Sequence, residues 1–119
     1  MKKDLTMLKL KKLNSLPFTK VTFQLPDYTP KGDPMPDTHE ELQAKLTEEF
    51  EVFFMSFGEV VLKNELLNTD PVTVYTVYLS DNLYEVNTLL SFVHAAAKEL
   101  MQTEFLFERP NGEIDIYKV

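Results

Sequence analysis

Residues 72–80, VTVYTVYLS, constrain the fold more tightly than any other stretch of this 119-residue chain. Nearly every position is β-branched or aromatic, so both faces of an extended strand would be apolar. Such a strand is stable where neighbours cover both sides or where it lies in an interface, which predicts a central position in a sheet. The remaining segments must then provide flanking strands and the helices that cover them.

Those segments can be read from their periodicity. Residues 18–25 alternate, with Val21, Phe23 and Leu25 on one face and Thr22 and Gln24 on the other, the pattern of a half-buried strand. Pro26 ends it, and residues 26–37, PDYTPKGDPMPD, form a loop rich in proline. Thr38 and Glu41 have the spacing of a capping box, and Leu42, Leu46, Phe50, Phe53, Phe54 and Phe57 follow at helical intervals. The spacing predicts a helix over residues 38–57, stopped by Gly58. Residues 59–67 read as a strand, separated from 72–80 by the turn cluster Asn68-Thr69-Asp70-Pro71. Asp81 or Asn82 then caps a second helix, whose buried stripe is Val86, Leu90, Val93, Ala97 and Leu100. Residues 104–108 and 113–119 make a closing hairpin around Arg109-Pro110-Asn111-Gly112.

The resulting order, β-α-β-β-α-β-β, predicts a single α+β domain over residues 18–119, preceded by a basic arm or short helix over residues 1–17. Its first six elements match the ferredoxin-like pattern: an antiparallel sheet with two helices on one face, here with an extra C-terminal edge strand. A chain of this length buries enough surface to fold without a staple, and it has no cysteine to make one. No apolar run approaches the roughly 18 residues of a membrane span, so a cytoplasmic location is expected.

Charge separates along the chain. In the first twenty residues, Lys2, Lys3, Lys9, Lys11, Lys12 and Lys20 oppose Asp4 alone, whereas the remainder holds six basic groups against eighteen acids. An acidic body repels phosphate backbones and attracts cations, which argues against direct nucleic-acid binding. Glycine is confined to Gly32, Gly58 and Gly112, so no glycine-rich loop can cradle a nucleotide phosphate. No cofactor is expected.

The leading expectation is therefore a non-enzymatic acidic interaction protein. It would inhibit or modulate another macromolecule by docking on a basic protein surface, as inhibitor, immunity or accessory proteins of phage and other mobile elements do. If Phe105 and Phe107 point inward with Ile114 and Ile116, then Glu104, Glu108, Glu113 and Asp115 share the outer face of the hairpin around Tyr117. These five residues form the first candidate partner-binding surface, and Glu48, Glu49 and Glu51 on the first helix form the second. One alternative is a self-assembling structural subunit, a homodimer in its simplest form, joined through the phenylalanine-rich helix. Another is a small enzyme with His39 or His94 as base; His39 reads as an exposed helix-start residue, and His94 as partly exposed on the second helix.

Overall fold

The structure, a computed structural model, describes residues 19–61, 69–79 and 83–119. The expected arm, the end of the strand expected over residues 59–67 with Asn68 of the turn cluster, and the Asp81 and Asn82 caps lie outside the described residues. In chain order the elements are β1 (Thr19–Pro26), α1 (Pro36–Glu49), β2 (Phe53–Val61), β3 (Thr69–Leu79), α2 (Leu83–Glu99), β4 (Glu104–Glu108) and β5 (Ile114–Lys118). They form one five-stranded sheet in the order β2-β3-β1-β4-β5, with every neighbouring pair antiparallel. This is the expected α+β, ferredoxin-like arrangement with β5 added at the edge.

β3 is paired along its length on both sides, from Thr19↔Leu79 to Pro26↔Val72 with β1 and from Phe53↔Val77 to Val61↔Thr69 with β2. Thr73, Tyr75, Val77 and Leu79 alternate onto the face covered by the helices, and all four are buried. Tyr75, Val77 and Leu79 pack with Val21, Phe23 and Leu25 of β1, Leu42 and Leu46 of α1, and Leu89, Val93 and Ala97 of α2 in one core. Both helices therefore cover the same side of the sheet.

The first helix is shorter than its spacing predicts. It ends at Glu49, Phe50 turns extended (φ −121°, ψ 139°), and Phe53, Phe54 and Phe57 belong to β2 instead of a helical stripe. The run FFMSFGEVV satisfies two periods at once, since phenylalanines three and four apart on a helix also alternate on a strand. Pairing with the open edge of β3 decides between them, because a ladder nine residue pairs long satisfies the backbone groups that each strand points at the other. Gly58 accordingly lies within β2, opposite Val72, and Glu51 lies in the connection between α1 and β2. The capping box is not made either. Pro36 occupies the first turn with Met35 as N-cap, and the Thr38 hydroxyl instead donates to Glu99 Oε2 at 2.9 Å, tying the start of α1 to the end of α2.

The closing hairpin keeps the expected facing on β4, where Phe105 and Phe107 are buried and Glu104 and Glu108 exposed, but β5 faces the opposite way. The turn closes with Arg109 N–H donating to the Glu113 carbonyl at 2.8 Å, and Gly112 takes φ 86°. Phe105 therefore sits opposite Tyr117, and Phe107 opposite Asp115, whereas Ile114 and Ile116 lie exposed on the open face with Glu104, Leu106 and Glu108. A turn sets strand register, and a shift of one residue moves every side chain to the other face. Tyr117 is half-buried, with its ring 5.4 Å from both Phe105 and Phe107.

α2 ends in a Schellman motif. Gln102 N–H donates to the Ala97 carbonyl at 2.9 Å and Met101 N–H to that of Lys98 at 3.0 Å, which places Met101 at φ 60°. A non-glycine residue is strained there, and Met101 is about half exposed, so little packing offsets the strain. Met101→Gly is expected to stabilise the fold by roughly 0.5–1 kcal/mol, read from the midpoint of urea unfolding with an unchanged slope.

Candidate functional site

The loop that leaves β1 is tied down at both ends. Asp27 N–H donates to the Pro71 carbonyl at 3.0 Å, and the Asp27 carbonyl accepts from Met35 N–H at 3.0 Å. Between them Tyr28 bridges to Pro34, and Gly32 N–H donates to the Thr29 carbonyl with φ 87°, a backbone that glycine adopts without strain. The Thr29 side-chain oxygen accepts a further bond from Asp33 N–H at 3.2 Å. The proline-rich stretch is thus an ordered shoulder that delivers the chain directly into α1.

Beneath it lies a buried polar chain. His39 is 7% exposed, against the exposed helix-start position expected from the sequence. Its Nε2 is 2.9 Å from the Pro26 carbonyl and its Nδ1 is 2.7 Å from the Tyr75 hydroxyl. A carbonyl only accepts, so in the neutral ring Nε2 carries the proton and Nδ1 accepts from Tyr75 O–H. Gln43 Nε2 donates to the same hydroxyl at 3.3 Å. Burial pushes the Tyr75 phenol above its ordinary value; the Gln43 hydrogen bond opposes this, and the negative charge of Asp27 reinforces it. Asp27 Oδ1 accepts from Thr73 Oγ1 at 2.7 Å and lies 3.6 Å from His39 Nε2.

Of these groups Asp27, His39, Gln43 and Thr73 line a groove of about 470 Å³, within the range of small-molecule sites. Met55 and Phe57 of β2, which register with Tyr75 and Thr73 on the helix side but remain exposed, complete the lining with an apolar surface. Phe57 is 78% exposed. Tyr28, Pro34 and Pro36 close one end. Asp27 and Glu40 bring carboxylates to the lining, and among the described residues no lysine or arginine lines it. The arrangement suits a ligand with a flat apolar part and a positive charge.

The residues singled out from sequence lie elsewhere. Glu104 faces Lys118 across the β4–β5 ladder, and Glu108 faces Ile114 on the open face. Glu113 and Asp115 pair with Arg109, at 3.6 and 2.7 Å, so the four hairpin carboxylates do not share one unscreened face. Tyr117 packs inward, and Glu48, Glu49 and Glu51 are solvent-exposed. None of these eight lines the groove. His94 is exposed on α2, in line with its expected position. Asp27, Gln43, Thr73 and Tyr75 were not singled out. The available signal was a histidine in the first turn of a helix together with a tyrosine on a strand that must be buried, since their polar atoms require partners.

No protein-family model and no curated protein matches the sequence. Among solved structures, the chain is similar to a phage SAM lyase in complex with S-methyl-5'-thioadenosine. The TM-score is 0.56 at 8% identity, with 88% of this chain and 91% of that chain covered. At that identity the shared property is the fold. The similarity overturns the expectation of a non-enzymatic interaction protein, and the inhibitor reading with it. That expectation rested on the lack of a familiar catalytic motif, yet a fold of this size and layout carries an enzyme in the similar protein. No helix among the described residues is long and apolar enough to cross a membrane.

Tyr75→Phe leaves His39 Nδ1 and the Gln43 amide without their shared partner and is expected to cost about 1–3 kcal/mol in denaturant unfolding at neutral pH. The raised phenol pKa adds a pH signature. The neutral hydroxyl stabilises the fold fully below the unfolded value of 10.0, and that contribution fades as pH rises through the higher folded value. Wild-type stability should therefore fall more steeply above pH 10 than that of Tyr75→Phe.

Proposed function

We propose that this chain is an enzyme that cleaves a carbon–sulfur bond in a sulfonium nucleoside of the S-adenosylmethionine class, releasing S-methyl-5'-thioadenosine. The observation that carries this reading is the similarity in fold, over most of both chains, to the phage SAM lyase with bound S-methyl-5'-thioadenosine. The groove supports it independently of the fold: it has an exposed aromatic wall for a purine and carboxylates for a cation. The acidic body, first read as a docking surface for a basic protein, also attracts a small cationic substrate by the same long-range field.

The chemistry explains why no nucleophile–base pair is legible. A sulfonium sulfur leaves as a neutral thioether, so its departure needs no general acid. The carboxylate of the substrate's own amino-acid arm can attack Cγ: the C–O bond forms, the Cγ–S bond breaks with its electron pair going to sulfur, and a five-membered lactone results. No water is consumed and no proton moves. The task left to the protein is to fold the arm over the reacting carbon and exclude water, the orientation effect that makes intramolecular reactions fast. In this reading the rigid Pro26–Asp27 turn, held by His39 and Pro71, provides the orienting surface, and Phe57 with Met55 carries the base.

Incubation of the protein with S-adenosylmethionine and no acceptor molecule should release S-methyl-5'-thioadenosine and the lactone, or its hydrolysis product, detected by mass spectrometry. Substrate that stays intact with the folded protein present would overturn the proposal. Phe57→Ala is expected to raise KM about tenfold, since loss of one base–aromatic stack costs about 1–3 kcal/mol, with an unchanged unfolding midpoint because the ring is exposed.

A further inference from the structure

Of the two carboxylates in the groove, Asp27 alone is rigidly held. Its backbone is bonded in both directions, to Pro71 and Met35, and its Oδ1 accepts from Thr73 at 2.7 Å. Its Oδ2 accepts no hydrogen bond from the described residues, and about a third of the side chain remains accessible from the groove. Glu40 is exposed on α1 and has no comparable restraint. The nearest cationic candidate for Asp27 is His39, but its Nε2–H is directed to the Pro26 carbonyl at 2.9 Å and lies 3.6 Å from Oδ1. A fixed carboxylate with a spare oxygen therefore shares the groove with exposed Met55 and Phe57, and among the described residues no lysine or arginine lines it to neutralise the charge.

We propose that Asp27 is the specificity-determining residue of the groove, holding the positive sulfur of a sulfonium nucleoside and discriminating against the neutral thioether of the same shape. The inference rests on the sulfonium reading and adds to it a division of labour. The positive charge on sulfur disappears as the carbon–sulfur bond breaks, so attraction to Asp27 is stronger in the bound substrate than in the transition state. Interactions of that kind tighten capture of the substrate and do not speed the chemical step. Asp27 thus draws in the charged substrate and loosens its hold once the sulfur is neutral, so that the product leaves. Phe57, which contacts a part of the ligand that does not react, makes no such distinction.

The test uses the full chain and two probes that are not cleaved. S-adenosylhomocysteine has a neutral sulfur, and sinefungin carries an ammonium group on the carbon that takes the sulfur's place. By titration calorimetry, the wild type should bind sinefungin roughly tenfold or more tightly than S-adenosylhomocysteine, a preference set by one partly screened charge pair. Asp27→Asn keeps the shape and an acceptor for Thr73; it should bring the two affinities level while leaving that for S-adenosylhomocysteine unchanged. With S-adenosylmethionine as substrate the same variant should show a raised KM with kcat unchanged or higher. Equal weakening of both probes, or a preference that survives Asp27→Asn, would assign the discrimination elsewhere. A folded wild type that binds neither probe overturns the sulfonium reading itself. If Asp27→Asn does not fold, salt dependence in the wild type decides: the preference for sinefungin must shrink as ionic strength rises, and a salt-independent preference overturns the proposal.

Discussion

The Tyr75 hydroxyl is the point on which fold and groove both depend. β3 is apolar on both faces and lies inside the sheet, so its helix-facing side chains are sealed beneath α1 and α2. A tyrosine in that row brings an O–H group where water cannot reach, and a buried hydroxyl must find partners. It finds His39 and Gln43, both on α1, which fixes the rotation of that helix over the sheet. His39 in turn holds the Pro26 carbonyl, which sets where β1 stops and where the shoulder before α1 begins. The rings reinforce the chain: Tyr75 stacks on Phe23 at 5.1 Å and lies nearly parallel to His39 at 5.9 Å.

The groove follows from an incomplete cover. Phe53, the first helix-side residue of β2, packs against the core, whereas Met55 and Phe57 beside the N-terminal half of α1 stay exposed. Met55 and Phe57 are left with one side packed and the other open, which puts an apolar surface beside the polar groups. A site of this kind is made by topology, with residues from the shoulder, α1, β2 and β3 brought together from stretches up to 46 positions apart. Its electrostatics are one-sided because the basic groups of the described chain lie elsewhere: Arg109, for example, is committed to Glu113 and Asp115 at the far hairpin turn.

Much of the architecture could be read from periodicity. The alternation in residues 18–25 and the two-faced run at 72–80 predicted β1 and β3, and the stripe from Val86 to Leu100 predicted α2. The phenylalanines at 53, 54 and 57 misled because their spacing suits a helix and a strand equally, and the choice was made by hydrogen bonding to β3, a partner remote from local propensity. The facing of β5, unlike that of β4, was lost in the same way. Which of Ile116 and Tyr117 turns inward depends on how many residues the turn consumes, a backbone property that side-chain alternation does not carry.

The candidate site was less legible. His39 was noticed but placed at the surface, since a histidine in the first turn of a helix is ordinarily solvated; the proline-rich shoulder folding over it decides otherwise. Asp27 sat in a loop with nothing to mark it among eighteen other acids. By itself, then, the sequence determined the element order, the central place of β3 and an acidic, cation-attracting body, because these follow from local pattern and summed charge. Only the tertiary structure decided which face of each strand is buried, where the first helix stops, and which carboxylate is held rigid beside an aromatic wall. Those outcomes depend on register and on hydrogen bonds between residues far apart in the chain, and neither is encoded within a local window.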